Sequence, residues 1–298
     1  MSDTVMSDTN EALEASRTRR NASTRVLTAL VGIPLVALVI WIGGTLLVVV
    51  ALLLAMIAMR ELIVACRQAQ IPLVVEWTYP LLLVVFFALL NAGALWSHRE
   101  TVVRPFALLG PGFVLCAVPI LLLAWAVLRY GSQAIGLISV ALTTLAVFYT
   151  ALFVFLPLTA QLPGRGAWMI WLLLLGVWAG DTVAYYAGRA FGRTRLTPLS
   201  PGKTREGMAA GFVATLAVCV LLSWRAGWAL PHGATLGVLI GIAAPLGDLA
   251  ESFWKRELGV KDLGTLLPGH GGVLDRCDSL LFAAPAVYMY DVWRHLLP

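Results

Sequence analysis

Long apolar runs separated by short polar segments occupy this chain from residue 26 onward. A membrane-crossing helix needs about 17–25 apolar residues. The chain is 60% hydrophobic and 12% charged, with a mean hydropathy of +0.86, which excludes an ordinary soluble enzyme, a disordered chain and a coiled coil. We therefore predict an all-α, polytopic integral membrane protein with about nine transmembrane helices. The nine runs are Val26–Ile42, Thr45–Met59, Leu73–Asn91, Pro105–Leu128, Ala134–Leu156, Ala167–Ala187, Met208–Leu230, Ala234–Trp254 and Ser279–Leu297.

The first two runs form one stretch, Val26–Met59, which is too long for one span. Its glycine pair, Gly43-Gly44, predicts the break of a short hairpin. With nine spans, 16 of the 21 Lys and Arg lie on the side of the N-terminus. This bias predicts a cytoplasmic N-terminus and an external C-terminus. If Val26–Met59 crossed only once, the bias would weaken to 12 against 9.

Three regions follow from this organisation. We expect residues 1–25 to be a mobile polar tail, residues 26–166 to be the N-terminal transmembrane helices, and residues 167–298 to be the catalytic transmembrane region.

Acidic side chains inside apolar runs are costly and mark candidate functional sites. Asp181 lies in the sixth run and Asp248 and Glu251 in the eighth, while Asp275 and Asp278 precede the ninth. Asp181 and Asp248 each lie roughly 9 Å before the same end of their helices. These carboxylates would repel one another unless a cation joins them, and oxygen ligands suit Mg²⁺. The alternative is that they are helix-end residues reaching the membrane surface.

Helical periodicity places Asp248, Glu251, Ser252 and Lys255 on one face. The turn that follows, residues 267–272, contains three glycines and could cradle phosphate. Its His270 could be a general base, a phosphate donor or a turn residue, and we prefer the donor. Basic residues flank the turn: Lys255, Arg256, Lys261 and Arg276.

A second basic segment, residues 188–207, precedes the seventh run. It contains Gly202-Lys203-Thr204 but is no P-loop, because Thr197 stands where the first glycine would be and no strand precedes it. Thr204 or Ser200 could cap a helix that starts near Glu206. We expect Lys203 to contact phosphate. The segment's arginines could do the same or be ordinary cytoplasmic loop charge: Arg189, Arg193 and Arg195.

The polar pattern of residues 252–278 resembles the C-terminal motif of phosphatidate cytidylyltransferases (CDP-diacylglycerol synthases). It reads Ser252-Phe-Trp-Lys255-Arg256, then Lys261-Asp262, then Pro268-Gly269-His270-Gly271-Gly272-Val-Leu-Asp275-Arg276-Cys277-Asp278. The segments Asp181–Arg189 and Ser200–Gly207 are also similar to that family, and the resemblance runs from about residue 175 to 290. Four positions depart from the usual pattern: Gly202, Arg205, Leu263 and Cys277.

This resemblance implies transfer of the cytidylyl group of CTP to phosphatidic acid, giving CDP-diacylglycerol and pyrophosphate. It also implies a homodimer in the inner membrane, an active site on the cytoplasmic side, and Mg²⁺, with a monovalent cation such as K⁺ as a further candidate.

The candidate site residues fall into three groups. The catalytic candidates are Asp248, Asp275, Lys255, Arg256 and His270. The substrate-binding candidates are Lys203, Thr204, Glu206, Ser252, Lys261, Asp262, Gly271, Gly272 and Arg276. The metal candidates are Asp248 and Asp275, with Asp278, Glu251 and Asp181 beside them.

Three other functions stay open. A CTP-dependent kinase acting on a polyprenol or phytol would use similar metal chemistry but transfer the γ-phosphoryl group. A cation-coupled transporter could use the buried acids, although it would be expected to carry broken helices at mid-membrane. A non-catalytic relative is disfavoured by the intact polar pattern. No nucleic-acid-binding module is recognisable.

Overall fold

The computed structural model describes residue 30 and residues 32–97, 111–130, 135–266 and 271–296. These residues form α-helices joined by turns and loops, and an isolated β-bridge joins Arg195 to Thr204. The helices are α1 (Gly32–Ile42), α2 (Gly44–Gln68), α3 (Val75–Ser97), α4 (Pro111–Tyr130), α5 (Ile135–Ala151), α6 (Phe155–Ala160), α7 (Gly166–Phe191), α8 (Arg205–Arg225), α9 (Leu230–Glu257) and α10 (Leu274–Leu296).

Seven helical segments of the described chain are long and apolar enough to cross a membrane. They are α2, α3, α4, α5 joined to α6 by a 3₁₀ turn at Leu152–Val154, α7, α8 and α9. α10 has 23 residues but begins with polar side chains, and α1 is a shorter apolar helix. The prediction of an all-α polytopic membrane protein is confirmed.

The predicted break at the glycine pair is also confirmed. α1 ends at Ile42 and α2 begins at Gly44, with Gly43 at φ +61° and Gly44 at φ +51°. Glycine adopts these angles without the steric cost that a side chain brings. The predicted second run ended at Met59, but α2 continues to Gln68 and carries Arg60 and Glu61 within the helix.

Small residues allow the helices that carry the candidate site to pack closely. A Cβ at Gly211 of α8 would lie 2.7 Å from the carbonyl oxygen of Gly180 of α7. One turn further along α8, Thr215 donates a hydrogen bond of 3.0 Å to the carbonyl oxygen of Gly176. Close approach of small residues and a hydroxyl bond between helices are typical of packing within membranes.

Five helix ends meet at one end of the bundle, which we call the site end. It contains the C-terminal ends of α2, α7 and α9 and the N-terminal ends of α8 and α10. Three contacts define it: Gly188 against Gly207, Lys255 with Asp275, and Glu61 with Val273. Lys203, in the loop before α8, pairs with Asp248 of α9 and so joins the first of these contacts to the other two. The loop segments 192–204 and 258–266 therefore lie at the same end of the bundle.

Candidate active site

A cavity of about 750 Å³ opens between α7, α8, α9 and α10 at the site end. Part of its wall is apolar and includes Val177, Trp178, Met208, Phe212 and Pro245. The rest is strongly charged. Nine of the predicted site residues line it: Asp181, Lys203, Thr204, Asp248, Glu251, Lys255, Asp275, Arg276 and Asp278. The cavity therefore places an apolar surface beside a cluster of acids and bases.

Three carboxylates in the cavity are close enough to share a cation. Asp248 and Glu251 of α9 and Asp278 of α10 each offer one oxygen, and these oxygens all lie within 4.8 Å of one another. Glu251 is 1% exposed, and its Oε1 has no hydrogen-bond partner among the described residues. A buried carboxylate oxygen without a donor is unfavourable in water-poor surroundings unless it takes up a proton or a cation approaches it. Among the described residues this donor set consists of three carboxylates, without a thiolate or an imidazole, and it fits a hard divalent ion.

Two lysines balance part of this negative charge. Lys203, from the loop before α8, forms an ion pair with Asp248. Lys255 lies 2.9 Å from Glu251 Oε2, one turn away on α9, and 2.7 Å from Asp275 Oδ1 on α10. Because Lys255 is shared between Glu251 and Asp275, these contacts neutralise only part of the charge of Asp248, Glu251 and Asp278, which we call the acid cluster.

Asp275 is bonded differently from the other acids. Its carboxylate accepts hydrogen bonds from the backbone N–H groups of Gly272 at 2.6 Å, Leu263 at 3.2 Å and Gly264 at 3.4 Å. Gly271 has φ +85°, and a Cβ there would lie 2.9 Å from Asp275 Oδ2. The carboxylate of Asp275 thus holds the loop before α10 in place and pairs with Lys255. Its assignment as a metal ligand stays a prediction.

The loop before α8 is held by two side chains that the sequence pattern had assigned to substrate. Thr204 is the N-cap of α8 and accepts a hydrogen bond of 3.1 Å from the N–H of Gly207, as the capping prediction requires. Glu206 accepts bonds from the N–H groups of Arg193 and Thr194, each at 3.2 Å, and from the Thr194 hydroxyl at 2.9 Å. These bonds fix the position from which Lys203 reaches the acids.

Several other predicted site residues lie outside the cavity wall. Arg256 donates from Nε to the carbonyl oxygen of Leu199 at 3.1 Å, so it ties α9 to the loop before α8. Lys261 and Asp262 are exposed in the loop after α9. The remaining members of this group are Glu206, Ser252, Gly271 and Gly272. His270 lies outside the described residues, and the role of each of these residues stays a prediction.

Sequence reasoning missed Glu61 on α2. Its side chain is buried, and its two carboxylate oxygens accept hydrogen bonds from the N–H of Val273 at 2.9 Å and of Leu274 at 3.0 Å. Glu61 therefore touches the start of the helix that carries Asp275 and Asp278. The available signal was a glutamate two positions after the predicted run ends at Met59, where a longer helix would have included it. Arg189, for which two roles were left open, lines the cavity.

Comparison with known proteins agrees with the polar motifs. The sequence model of the cytidylyltransferase family matches residues 23–293 of this chain. The phosphatidate cytidylyltransferase of Brucella abortus biovar 1 (strain 9-941) is 34% identical over 277 residues, which cover 91% of this chain and 93% of that protein. The enzyme of the same name from Staphylococcus haemolyticus (strain JCSC1435) is 33% identical over 266 residues, 88% of this chain and 95% of the relative.

A third relative is more similar over a shorter stretch. The phosphatidate cytidylyltransferase of Synechocystis sp. is 52% identical over 120 residues, and this match spans 39% of the present chain and 40% of the relative. The family match, by contrast, includes the N-terminal helices, for which the sequence motifs gave no information. The chain therefore belongs to the cytidylyltransferase family, as the polar pattern of its C-terminal half predicts.

Proposed function

We propose that this protein transfers the cytidylyl group of CTP to phosphatidic acid, releasing pyrophosphate and forming CDP-diacylglycerol for phospholipid synthesis. The observation that carries the proposal is the cavity itself. It joins three carboxylates within 4.8 Å of one another to Lys203, Lys255 and Arg276, and it continues into an apolar wall. A reaction between a nucleoside triphosphate and a phospholipid needs both surfaces in one place.

The acid cluster is the proposed site of a divalent cation, which we take to be Mg²⁺. Asp248, Glu251 and Asp278 would hold it, because their oxygens lie together and Oε1 of Glu251 lacks a donor. Asp181 lines the same cavity and would help to order the cations, with a monovalent ion such as K⁺ as the second candidate. When bound, the metal would reduce the charge of the CTP phosphates and favour attack at the α-phosphorus.

The basic residues supply the rest of the charge balance. Two polyanions must approach each other, and fixed cations lower the cost of that approach. Lys203 and Lys255 already lie beside carboxylates, so each can exchange part of that contact for a phosphate oxygen when the acids bind metal. Arg276 and Arg189 line the same cavity and add positive charge for the departing pyrophosphate.

The phosphate of phosphatidic acid is already ionised and needs no strong base to act as a nucleophile. The protein's task is therefore to hold the lipid phosphate in line with the bond between the α- and β-phosphates of CTP. Positioning and fixed charge account for most of the catalysis in such phosphoryl and nucleotidyl transfers. The rigid loop held by Glu206 and Thr204 serves this task by fixing Lys203.

We further propose that the site end faces the cytoplasm of a cell whose inner membrane holds the protein. Outside the N-terminal tail, the predicted topology places 12 Lys and Arg at the site end and 5 at the opposite end. Such an excess is typical of the cytoplasmic side. CTP would then enter from water, while the acyl chains stay against the apolar wall. The homodimer implied by the family resemblance is part of this proposal, and crosslinking of the purified protein tests it.

Labelled CTP tests the reaction. Purified protein is incubated with phosphatidic acid and CTP labelled either in the cytidine or at the γ-phosphate, with and without Mg²⁺. We expect cytidine label to enter the lipid and γ-label to leave as pyrophosphate, only when Mg²⁺ is present. Transfer of γ-label to a polyprenol or phytol would instead support the lipid kinase, and no transfer of either label would contradict the proposal.

A further inference from the structure

Glu61 lies far from the sequence motifs but touches the loop that ends at the acid cluster. It is on α2, and the residues that it contacts, Val273 and Leu274, are more than 200 positions away in the chain. It is buried, with 7% of the residue exposed. A buried carboxylate on a membrane helix is retained only where it finds partners. Here its partners are two backbone N–H groups at the start of α10.

The first N–H groups of a helix have no carbonyl partner within the helix. A carboxylate that accepts from such a group satisfies it and interacts favourably with the positive end of the helix. In α10 the side chain that does this is neither a residue of the helix nor one just before it, but Glu61 of another helix. The direction of the first turn of α10 therefore depends on α2.

Two glycines make room for this contact. A Cβ at Gly264 would overlap the Glu61 carboxylate, and a Cβ at Gly272 would lie 2.6 Å from Glu61 Oε2. The described parts of the loop before α10, residues 258–266 and 271–273, thus lie on two sides of the Glu61 side chain. The same loop donates to Asp275 through the N–H groups of Leu263, Gly264 and Gly272. Glu61 and Asp275 together determine where the loop and the first turn of α10 lie.

We propose that Glu61 is a positioning residue, which orients the first turn of α10 so that Asp275 meets Lys255 and Asp278 meets Asp248 and Glu251. Asp275 and Asp278 lie within five residues of the bonded N–H groups, so a change in the direction of that turn moves both carboxylates. The proposal rests on the proposed function for its catalytic consequence, but its structural part stands independently of the reaction. It also assigns a task to the N-terminal helices, which carry none of the polar motifs.

The main test is Glu61→Gln, which keeps the shape of the side chain but removes the charge and places an NH₂ group opposite a backbone donor. The matched control is Glu76→Gln, at an exposed glutamate in the first turn of α3. A second variant, Gly264→Ala, displaces the carboxylate without altering its charge, and Gly112→Ala, where a Cβ meets nothing within 4 Å, is its control.

Cys277 reports on the first turn of α10 without reference to activity. It lies between Asp275 and Asp278, is partly buried and is a free thiol. In a background where the other three cysteines are alanine, we expect maleimide to label Cys277 at least several-fold faster in Glu61→Gln and Gly264→Ala than in the two controls. We also expect weaker binding of Mn²⁺, measured by electron paramagnetic resonance of the purified protein.

The kinetic expectation follows from the displacement of the acids. A shift of about 1 Å in reacting groups lowers turnover by up to about a hundredfold. We therefore expect kcat of correctly folded Glu61→Gln to fall by roughly tenfold to a hundredfold and its Mg²⁺ requirement to rise. A role limited to stability would lower the yield of folded protein but leave kcat and the Mg²⁺ midpoint of that protein unchanged.

The outcomes separate the two proposals. Wild-type labelling of Cys277 and wild-type Mn²⁺ binding in both variants would overturn the positioning role, whatever the reaction is. If Glu61→Gln does not yield folded protein, Gly264→Ala decides by the same two readouts. The unaltered protein could also fail to transfer cytidylyl groups. In that case, faster labelling of Cys277 and weaker Mn²⁺ binding in the variants would support the positioning role and refute the proposed function.

Discussion

The Nζ of Lys255 lies 2.7 Å from Oδ1 of Asp275, and this contact joins the end of α9 to the start of α10. Both side chains are largely buried, with 19% and 4% of their side-chain surface exposed. Lys255 also pairs with the buried Glu251 at 2.9 Å. One ammonium group therefore offsets two carboxylates on different helices, which gives it both a structural and a chemical role.

Removing this ammonium group tests that dual role. Lys255→Met keeps most of the aliphatic stem but leaves two buried carboxylates without their counter-ion. Loss of one partner of a buried ion pair costs about 3–5 kcal/mol. We expect a clear decrease in thermal stability in detergent and a loss of cytidylyl transfer. Added Mg²⁺ should recover part of the stability, because a cation can replace the missing charge, and thermal unfolding at several Mg²⁺ concentrations measures this. Stability equal to that of the unaltered protein would contradict the assignment.

Amide substitution of Asp248 and of Asp275 should have similar effects for different structural reasons. Asp248→Asn and Asp275→Asn should each abolish CTP-dependent turnover. Asp248→Asn removes a carboxylate from the acid cluster and should also weaken Mn²⁺ binding strongly. Asp275→Asn should do so through the loop that its carboxylate holds, or directly if it is a ligand as the motif predicts. Turnover and Mn²⁺ titration of each variant, with Glu76→Gln as the control, are the measurements. Wild-type rates in either variant would refute its ligand assignment.

Thr204 offers a smaller and more local test. Its side chain accepts the N–H of Gly207 and caps α8. Replacement of a capping threonine by alanine costs about 1 kcal/mol. We expect Thr204→Ala to lower the melting temperature by a few degrees and to reduce activity by loosening the loop that carries Lys203. Thr204→Ser keeps the hydroxyl and should restore most of both, whereas equal loss in the two variants would show that the methyl group matters instead.

The orientation of the chain in the membrane is a separate prediction. A reporter enzyme or fluorophore fused after Pro298 should lie on the outer side, since the Lys and Arg distribution predicts that the site end faces the cytoplasm. An insertion of the same reporter near Gly202, in the exposed turn before α8, should lie in the cytoplasm. A cytoplasmic signal from the fusion at Pro298 would overturn the topology.

The membrane class and the family could be read from the sequence because each depends on local patterns. Apolar runs of the length of a bilayer determine the spans, and the spacing of residues 248–255 determines one helix face. The break before Gly44 was predictable for the same reason, since two adjacent glycines tolerate a break that other residues resist. The motif between Ser252 and Asp278 sufficed to predict the family that the comparisons confirm.

The tertiary structure decided which of the motif residues face one another. The sequence predicts a catalytic role for Arg256 and a substrate-binding role for Glu206, and these roles stay predictions. The structure adds that Arg256 bonds to Leu199 and that Glu206 holds the backbone at Thr194. A charged side chain can bind phosphate or satisfy a backbone group, and spacing alone does not distinguish the two uses.

The contacts of Glu61 are a clearer example of what spacing along the chain does not predict. The chain by itself determined that an acid follows an apolar run, that carboxylates lie within other runs, and that the protein is a membrane-embedded member of its family. Only the folded arrangement brings Glu61 to the N–H groups of Val273 and Leu274. The physical reason is that a helix start needs acceptors, and any helix packed near it can supply them, so the partner is chosen by packing and not by sequence distance.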